Sequence, residues 1–176
     1  NPNPSPAAVT FTFLTGAGQT VTRNVVIPAS SRLTVNIETV DPSLANVAVS
    51  TTVTADVPVI AERAMYWPGG GGEWYEAHNS FGTTAVGTRW GLAEGRVGMS
   101  EGFETYILLA NSSQTQAAQV RITFLRANGT TVVKDFTVNA TTRLNVQVTT
   151  QVPELANEPF GVGAVDEEVD ALRDAA

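Results

Sequence analysis

The chain contains one histidine, His78, whose nearest carboxylates in sequence are Glu73, Glu76 and, further upstream, Glu62. A metal centre built on imidazole needs further His, Cys or carboxylate donors converging on one ion. Cysteine is absent, which removes thiolate zinc sites, disulfide staples and a Cys nucleophile. His78 therefore reads as an exposed loop residue, and the sequence implies no metal and no cofactor. Counting residues leaves a Ser-His-Asp triad open, but no G-x-S-x-G elbow is expected to support it. The run Gly69–Gly72 lacks the Lys-Ser/Thr of a phosphate loop and reads as a linker. Glu62 beside Arg63, and Glu94 with Glu104, have the chemistry of general acid–base pairs. Trp67, Trp74 and Tyr75 gather around His78 near the Gly-rich run, with Tyr66 and Trp90 on either side. Such aromatics can stack on sugars or form sockets for partner chains; alternatively they plug the ends of a β-sandwich.

The elements that must carry these residues are strands. Val9, Phe11 and Phe13 alternate with threonines, as do Leu33, Val35 and Ile37 with polar residues. Period-two alternation predicts half-buried strands over Val9–Leu14, Thr20–Ile27, Arg32–Glu38, Val47–Ala55 and Val57–Trp67. A second group spans Trp90–Gly95, Gly102–Asn111, Val120–Leu125 and the stretch through Leu144, Val146 and Val148. Asn128-Gly129 predicts a two-residue hairpin turn of the primed type, with Ala17-Gly18 as its counterpart. The tail, residues 166–176, places acids first and Arg late, and predicts a short helix.

The two groups are copies. A shift of 111 positions superimposes Thr12-Phe13-Leu14 on Thr123-Phe124-Leu125, Arg32-Leu33 on Arg143-Leu144, and Pro42, Leu44, Ala45 and Asn46 on Pro153, Leu155, Ala156 and Asn157. One supersecondary unit is used twice. The first copy has no counterpart of Trp90–Asn111 before it, and the second none of Ser50–Trp67 after it. The expected fold is an all-β, antiparallel β-sandwich built from two related, out-of-phase repeat halves, with a short C-terminal helix. The expected divisions are 1–67 and 90–165 for the halves, 68–89 for a connector and 166–176 for the acidic tail.

Hydrophobic residues make up 43% of the chain and charged residues 15%, enough for a packed core. The formal net charge of −7 offers no phosphate-neutralising surface, so nucleic acid is not expected as a partner. No apolar run is long enough to span a bilayer.

Three segments together resemble a known family: Trp90-Gly91-Leu92-Ala93-Glu94-Gly95, Phe103-Glu104-Thr105-Tyr106-Ile107-Leu108-Leu109-Ala110-Asn111, and Glu62-Arg63-Ala64-Met65-Tyr66-Trp67. They are similar to the tandem β-sandwich repeats of large exported or cell-surface proteins of actinobacteria and related bacteria. The order of segments is more distantly similar to the sensory rhodopsin transducer family, a small oligomeric β-sandwich. The resemblance implies an extracellular or cell-surface location and a non-enzymatic role, with Glu62, Arg63, Glu94 and Glu104 on solvated faces or in structural ion pairs. It carries over no catalytic residues.

The expected function is that of a structural repeat module. It would associate with other copies of itself, as a homo-oligomer or filament, or with neighbouring repeats. An open sandwich exposes edge hydrogen-bonding groups that something must cover. Val9, Phe11, Phe13, Phe103, Tyr106 and Leu108 are the candidate assembly and edge-strand residues. The alternative is a module that binds a carbohydrate or small ligand through Trp67, Trp74, Tyr75 and His78.

Overall fold

The computed structural model describes residues 1–68, 74–100 and 102–166, without the side chains of residues 67–68, 74–76 and 164–166. Of the expected helix over 166–176, Asp166 instead ends a strand and the rest lies outside the described residues, as does the Gly69–Gly72 linker. Strands dominate: β1 (Ala7–Thr15), β2 (Thr20–Ile27), β3 (Val49–Ala55), β4 (Glu62–Pro68), β5 (Trp74–Phe81), β6 (Arg89–Arg96), β7 (Tyr106–Asn111), β8 (Ala118–Arg126), β9 (Thr131–Val138), β10 (Thr142–Gln147) and β11 (Pro159–Asp166). A one-turn helix α1 (Val148–Gln151) follows β10, and 3-10 turns occupy Ile37–Thr39, Pro42–Leu44 and Pro153–Leu155. The protein is all-β, with antiparallel sheets.

Two compact units interleave in sequence. One comprises Asn1–Phe11, Thr22–Asn36 and Val53–Val86; the other comprises Thr12–Val21, Ile37–Thr52 and the chain from Gly87 onward. In the second unit a four-stranded sheet runs β6-β11-β8-β9, and β10 and β7 form a two-stranded layer. Ile122 and Phe124 of β8, Phe160 and Val162 of β11, Ile107 of β7 and Val146 of β10 are buried in one cluster, which α1 and the last 3-10 turn complete with Val148, Val152 and Leu155. Alternation puts these apolar side chains on one face of each strand, so the two layers make a sandwich. The rings of Phe124 and Phe160 meet edge to face at 5.6 Å. In the first unit, Ala7, Val9 and Ile27 form a smaller buried cluster, supported by Phe11, Val25, Val53, Val57 and Val59.

The repeat is reproduced element by element. β1 and β8 are offset by 111 positions at both ends, as are β2 and β9. The burial pattern along β2 and β9 is the same residue for residue. The sheet order β2-β1-β3 matches β9-β8-β11, so the second copy does have a counterpart of Ser50–Ala55, against the expectation that it lacked one. Where Arg121 meets Asp135 across β8 and β9, Thr10 meets Asn24 across β1 and β2. Even the left-handed residues recur in pairs: Gly18 with Gly129, Ser30 with Thr141, and Asn46 with Asn157. Side chains rarely adopt that conformation unaided, so its recurrence at matching sites marks a shared backbone path.

Four further expectations are corrected. The Asn128-Gly129 turn is not of the primed type, because only Gly129 has positive φ, at +81°, whereas a primed type I turn needs it at both positions. Instead Gly129 donates to Arg126 and Arg126 to Thr130, each at 3.0 Å, and Gly18 and Thr15 make the same bonds at the other hairpin. This is a three-residue loop closing on a left-handed glycine. Residues 32–36 form no strand, and Ile37–Thr39 turns as a 3-10 helix. Strand β4 begins at Glu62 rather than Val57. Trp74–Phe81, expected in the connector, is a strand paired along β4.

Candidate functional site

The second repeat shows how a complete unit is closed. β6 lies beside β11, with Leu92 opposite Val162 and Gly95 opposite Phe160. A Cβ on Gly95 would fall 2.3 Å from the Phe160 ring, so only glycine lets that ring seat over β6. The chain then turns tightly, with Gly98 and Phe103 exchanging backbone hydrogen bonds at 2.8 Å. The Asn157 side chain accepts from the Met99 amide, and the Arg96 guanidinium lies 5.1 Å from the Phe103 ring centre. The Thr105 hydroxyl donates to the Arg96 carbonyl at 2.7 Å and accepts from its amide at 3.0 Å. Glu104 accepts from Thr149 and Gln147, which ties the turn to β10 and α1. β7 then pairs along β10, with Leu109 opposite Leu144 and Ile107 opposite Val146.

Among the described residues, the first repeat has the acceptors for these strands without the strands. β3 occupies the sheet edge where β11 instead continues to β6. Leu33 is 45% exposed, whereas its counterpart Leu144 packs on the core. Val35 and Ile37 are half-buried, whereas Val146 and Val148 are fully buried. Among the described residues, the backbone amides of Leu33 and Val35 have no hydrogen-bond partner.

One rung of the absent ladder is nevertheless present. The Asn1 amino group donates to the Ser31 carbonyl at 2.8 Å, and the Ser31 amide donates to the Asn1 carbonyl at 3.2 Å. Asn111, the last residue of β7, is paired with Thr142, the counterpart of Ser31. The two asparagines are bound alike. The Asn111 side chain donates to the carbonyls of Val138 and Gln116, and that of Asn1 to those of Ile27 and Ser5. Asn111 Oδ1 accepts from the Ser113 amide, and Asn1 Oδ1 from the Asn3 amide. Sequence reasoning missed this pair because their offset is one residue short of the repeat shift.

The residues singled out from sequence scatter over several elements. Val9, Phe11 and Phe13 belong to β1, which is central in its sheet with both edges paired, so they are not edge residues. Val9 and Phe13 are buried, on the face that alternation predicts to be inward. Phe103 lies exposed in the turn before β7. Tyr106 and Leu108 are exposed on β7, opposite Gln147 and Asn145, on the face away from the core. The side chains of Trp67, Trp74 and Tyr75 lie outside the described residues. His78 is exposed on β5 opposite Met65. Among the described residues, no three His, Asp or Glu side chains gather as metal ligands. A shallow depression over β1 and β2, lined by Ala8, Thr10, Asn24 and Val26, lacks the enclosure of a small-molecule pocket.

The expected absence of a G-x-S-x-G spacing is corrected: Gly98-Met99-Ser100-Glu101-Gly102 has it. A nucleophile elbow leads from a strand into a helix; this segment joins β6 to β7. The left-handed residues here are Gly98, Met99 and Gly102, not Ser100.

Ion pairs stitch the second repeat together. Arg126 donates to Glu158 through two nitrogens, Lys134 reaches Glu154 at 2.8 Å, and Arg121 reaches Asp135 at 2.8 Å. Hydrogen bonds from the basic partners hold the carboxyls of Glu158, Glu154 and Asp135 below their ordinary range. Glu94 lies 3.7 Å from Arg96, and both are exposed.

The chain is thus a β-sandwich protein of two out-of-phase repeats, the second closed and the first open along one edge. Comparison with known protein families, curated proteins and solved structures finds no match. Among the described residues, no helix is long and apolar enough to cross a membrane.

Proposed function

We propose that the protein is a non-enzymatic assembly module, in which repeats complete one another through strands added at open edges. The observation that carries this is the pairing of an unfilled edge, Arg32–Asn36, with a filled one, Thr142–Gln147, in two copies of the same unit. Exposed backbone donors beside exposed apolar side chains favour β-strand addition. The resemblance of the Trp90–Gly95, Phe103–Asn111 and Glu62–Trp67 segments to tandem repeats supports an exported or surface-attached setting, with neighbouring repeats or other copies as partners.

Light scattering on size-fractionated protein tests this. The monomer mass is 18.5 kDa. The expected result is a mass that rises above it with concentration, and that falls back in Leu33→Asp, which puts a charge on the open edge. A strictly monomeric protein at all concentrations would remove association between separate copies, leaving neighbouring repeats of one polypeptide as the partners.

A further inference from the structure

The Asn1–Ser31 pair defines which strand the open edge takes. In an antiparallel ladder, residues that exchange both hydrogen bonds alternate with residues that point the other way. Ser31 exchanges both bonds with Asn1, so the next residues facing the same side are Leu33 and Val35. Their amides have no partner among the described residues, nor do those of Arg32 and Thr34; it is the Asn1–Ser31 rung that aims Leu33 and Val35 at the open side. Their side chains correspond to Leu144 and Val146, which face the core opposite Leu109 and Ile107. Polar groups and apolar groups of this edge therefore ask for the same partner in the same register.

We infer that the Arg32–Asn36 edge is the acceptor for a strand of β7 type joined by a peptide bond to Asn1. It runs antiparallel, with a Leu opposite Leu33 and an Ile opposite Val35, and ends in the Ala-Asn step seen at Ala110-Asn111. The inference rests on the assembly reading and names its partner: a tandem neighbour in the same polypeptide rather than a free copy. Asn1 already fills the first rung, so a separate strand would have to stop against it. A strand in peptide linkage continues through it, keeps an N–H donor towards Ser31, and avoids the entropy of bimolecular association.

The test extends the full chain at Asn1 with the sequence of Gly102–Ala110, and follows amide exchange by NMR. Exchange at Leu33 and Val35 should slow roughly tenfold or more, as for amides entering a ladder, while Arg32 and Thr34 change little. A control with one glycine inserted before Asn1 should lose that pattern, because a one-residue slip turns every side chain to the other face. No slowing, slowing at Arg32 and Thr34 instead, or equal slowing in the control would each overturn the inference. The amides of Ile122 and Phe124 report whether the extended chain folds. If it does not, a shorter extension copying Tyr106–Ala110 is judged by the same criteria. Slowed exchange without any concentration-dependent mass would retain this inference and remove association between copies; association without slowing would do the reverse.

Discussion

Replacing Val146 by Ala and, separately, Val35 by Ala perturbs the same position of the two repeats. Val146 is fully buried between the layers, and Val35 is half-buried on an edge without a partner strand. Removing two methyl groups from Val146 costs about 1.6 kcal/mol of transfer free energy at ~0.8 kcal/mol per carbon, and the cavity left behind brings the total to roughly 2–3 kcal/mol. At Val35, up to about a third of that area is already in water and no closed cavity forms, so the cost is roughly 1 kcal/mol. For a chain of this size the first change lowers the melting temperature by roughly 4–10 °C and the second by a few degrees at most. Urea denaturation with both variants measures the difference. In the chain extended at Asn1, the Val35→Ala cost should rise towards that of Val146→Ala. Equal costs at the two sites in the unextended chain would refute the assignment of an open edge.

Other substitutions probe the closed repeat. Gly95→Ala drives a methyl group into the Phe160 ring, and should cost about 1–3 kcal/mol by denaturation. In a Phe160→Ala background the same change should be nearly neutral. Gly129→Ala meets no neighbouring atom, so its cost is the backbone's alone, about 1–2 kcal/mol, with a similar value for Gly18→Ala. Glu158 is held below its unfolded carboxyl range by Arg126. Its stabilisation is therefore present above that range and is lost as pH falls through the depressed folded value. Glu158→Gln should flatten the acid limb of a stability-against-pH curve, and an unchanged limb would show that the pair contributes nothing.

The repeat, the strands β1, β2 and β8, and the inward positions Phe13, Phe124 and Ile122 were legible because alternation and spacing are local signals. Arg32–Glu38 shows the limit of that signal. Its alternation is as clean as that of Arg143–Gln147, yet only the latter is a strand, because a strand exists only where another supplies its hydrogen bonds. The turn type at Asn128-Gly129 was misread because a dipeptide fixes which residue takes positive φ, not how many residues close the loop. The Asn1–Ser31 pair left no periodic trace. Thr105 and Glu104 gave a motif but not their role, which depends on hydrogen bonds to Arg96 and Thr149 from elsewhere in the chain.

The crossover from each latch asparagine to the next strand differs in length between the copies: Pro2–Pro6 in one, Ser112–Ala117 in the other, a single extra residue. Three side-chain bonds of the latch survive the difference, two to matching carbonyls and one from the amide two residues on, and the following strands start in step. The slack is taken up between the Ser113 and Gln116 contacts, where the chain has already accepted an insertion. A peptide tag or fluorescent label grafted between Ser113 and Gln116 would sit where length is free, whereas the same insertion inside β8 would turn its core side chains outward.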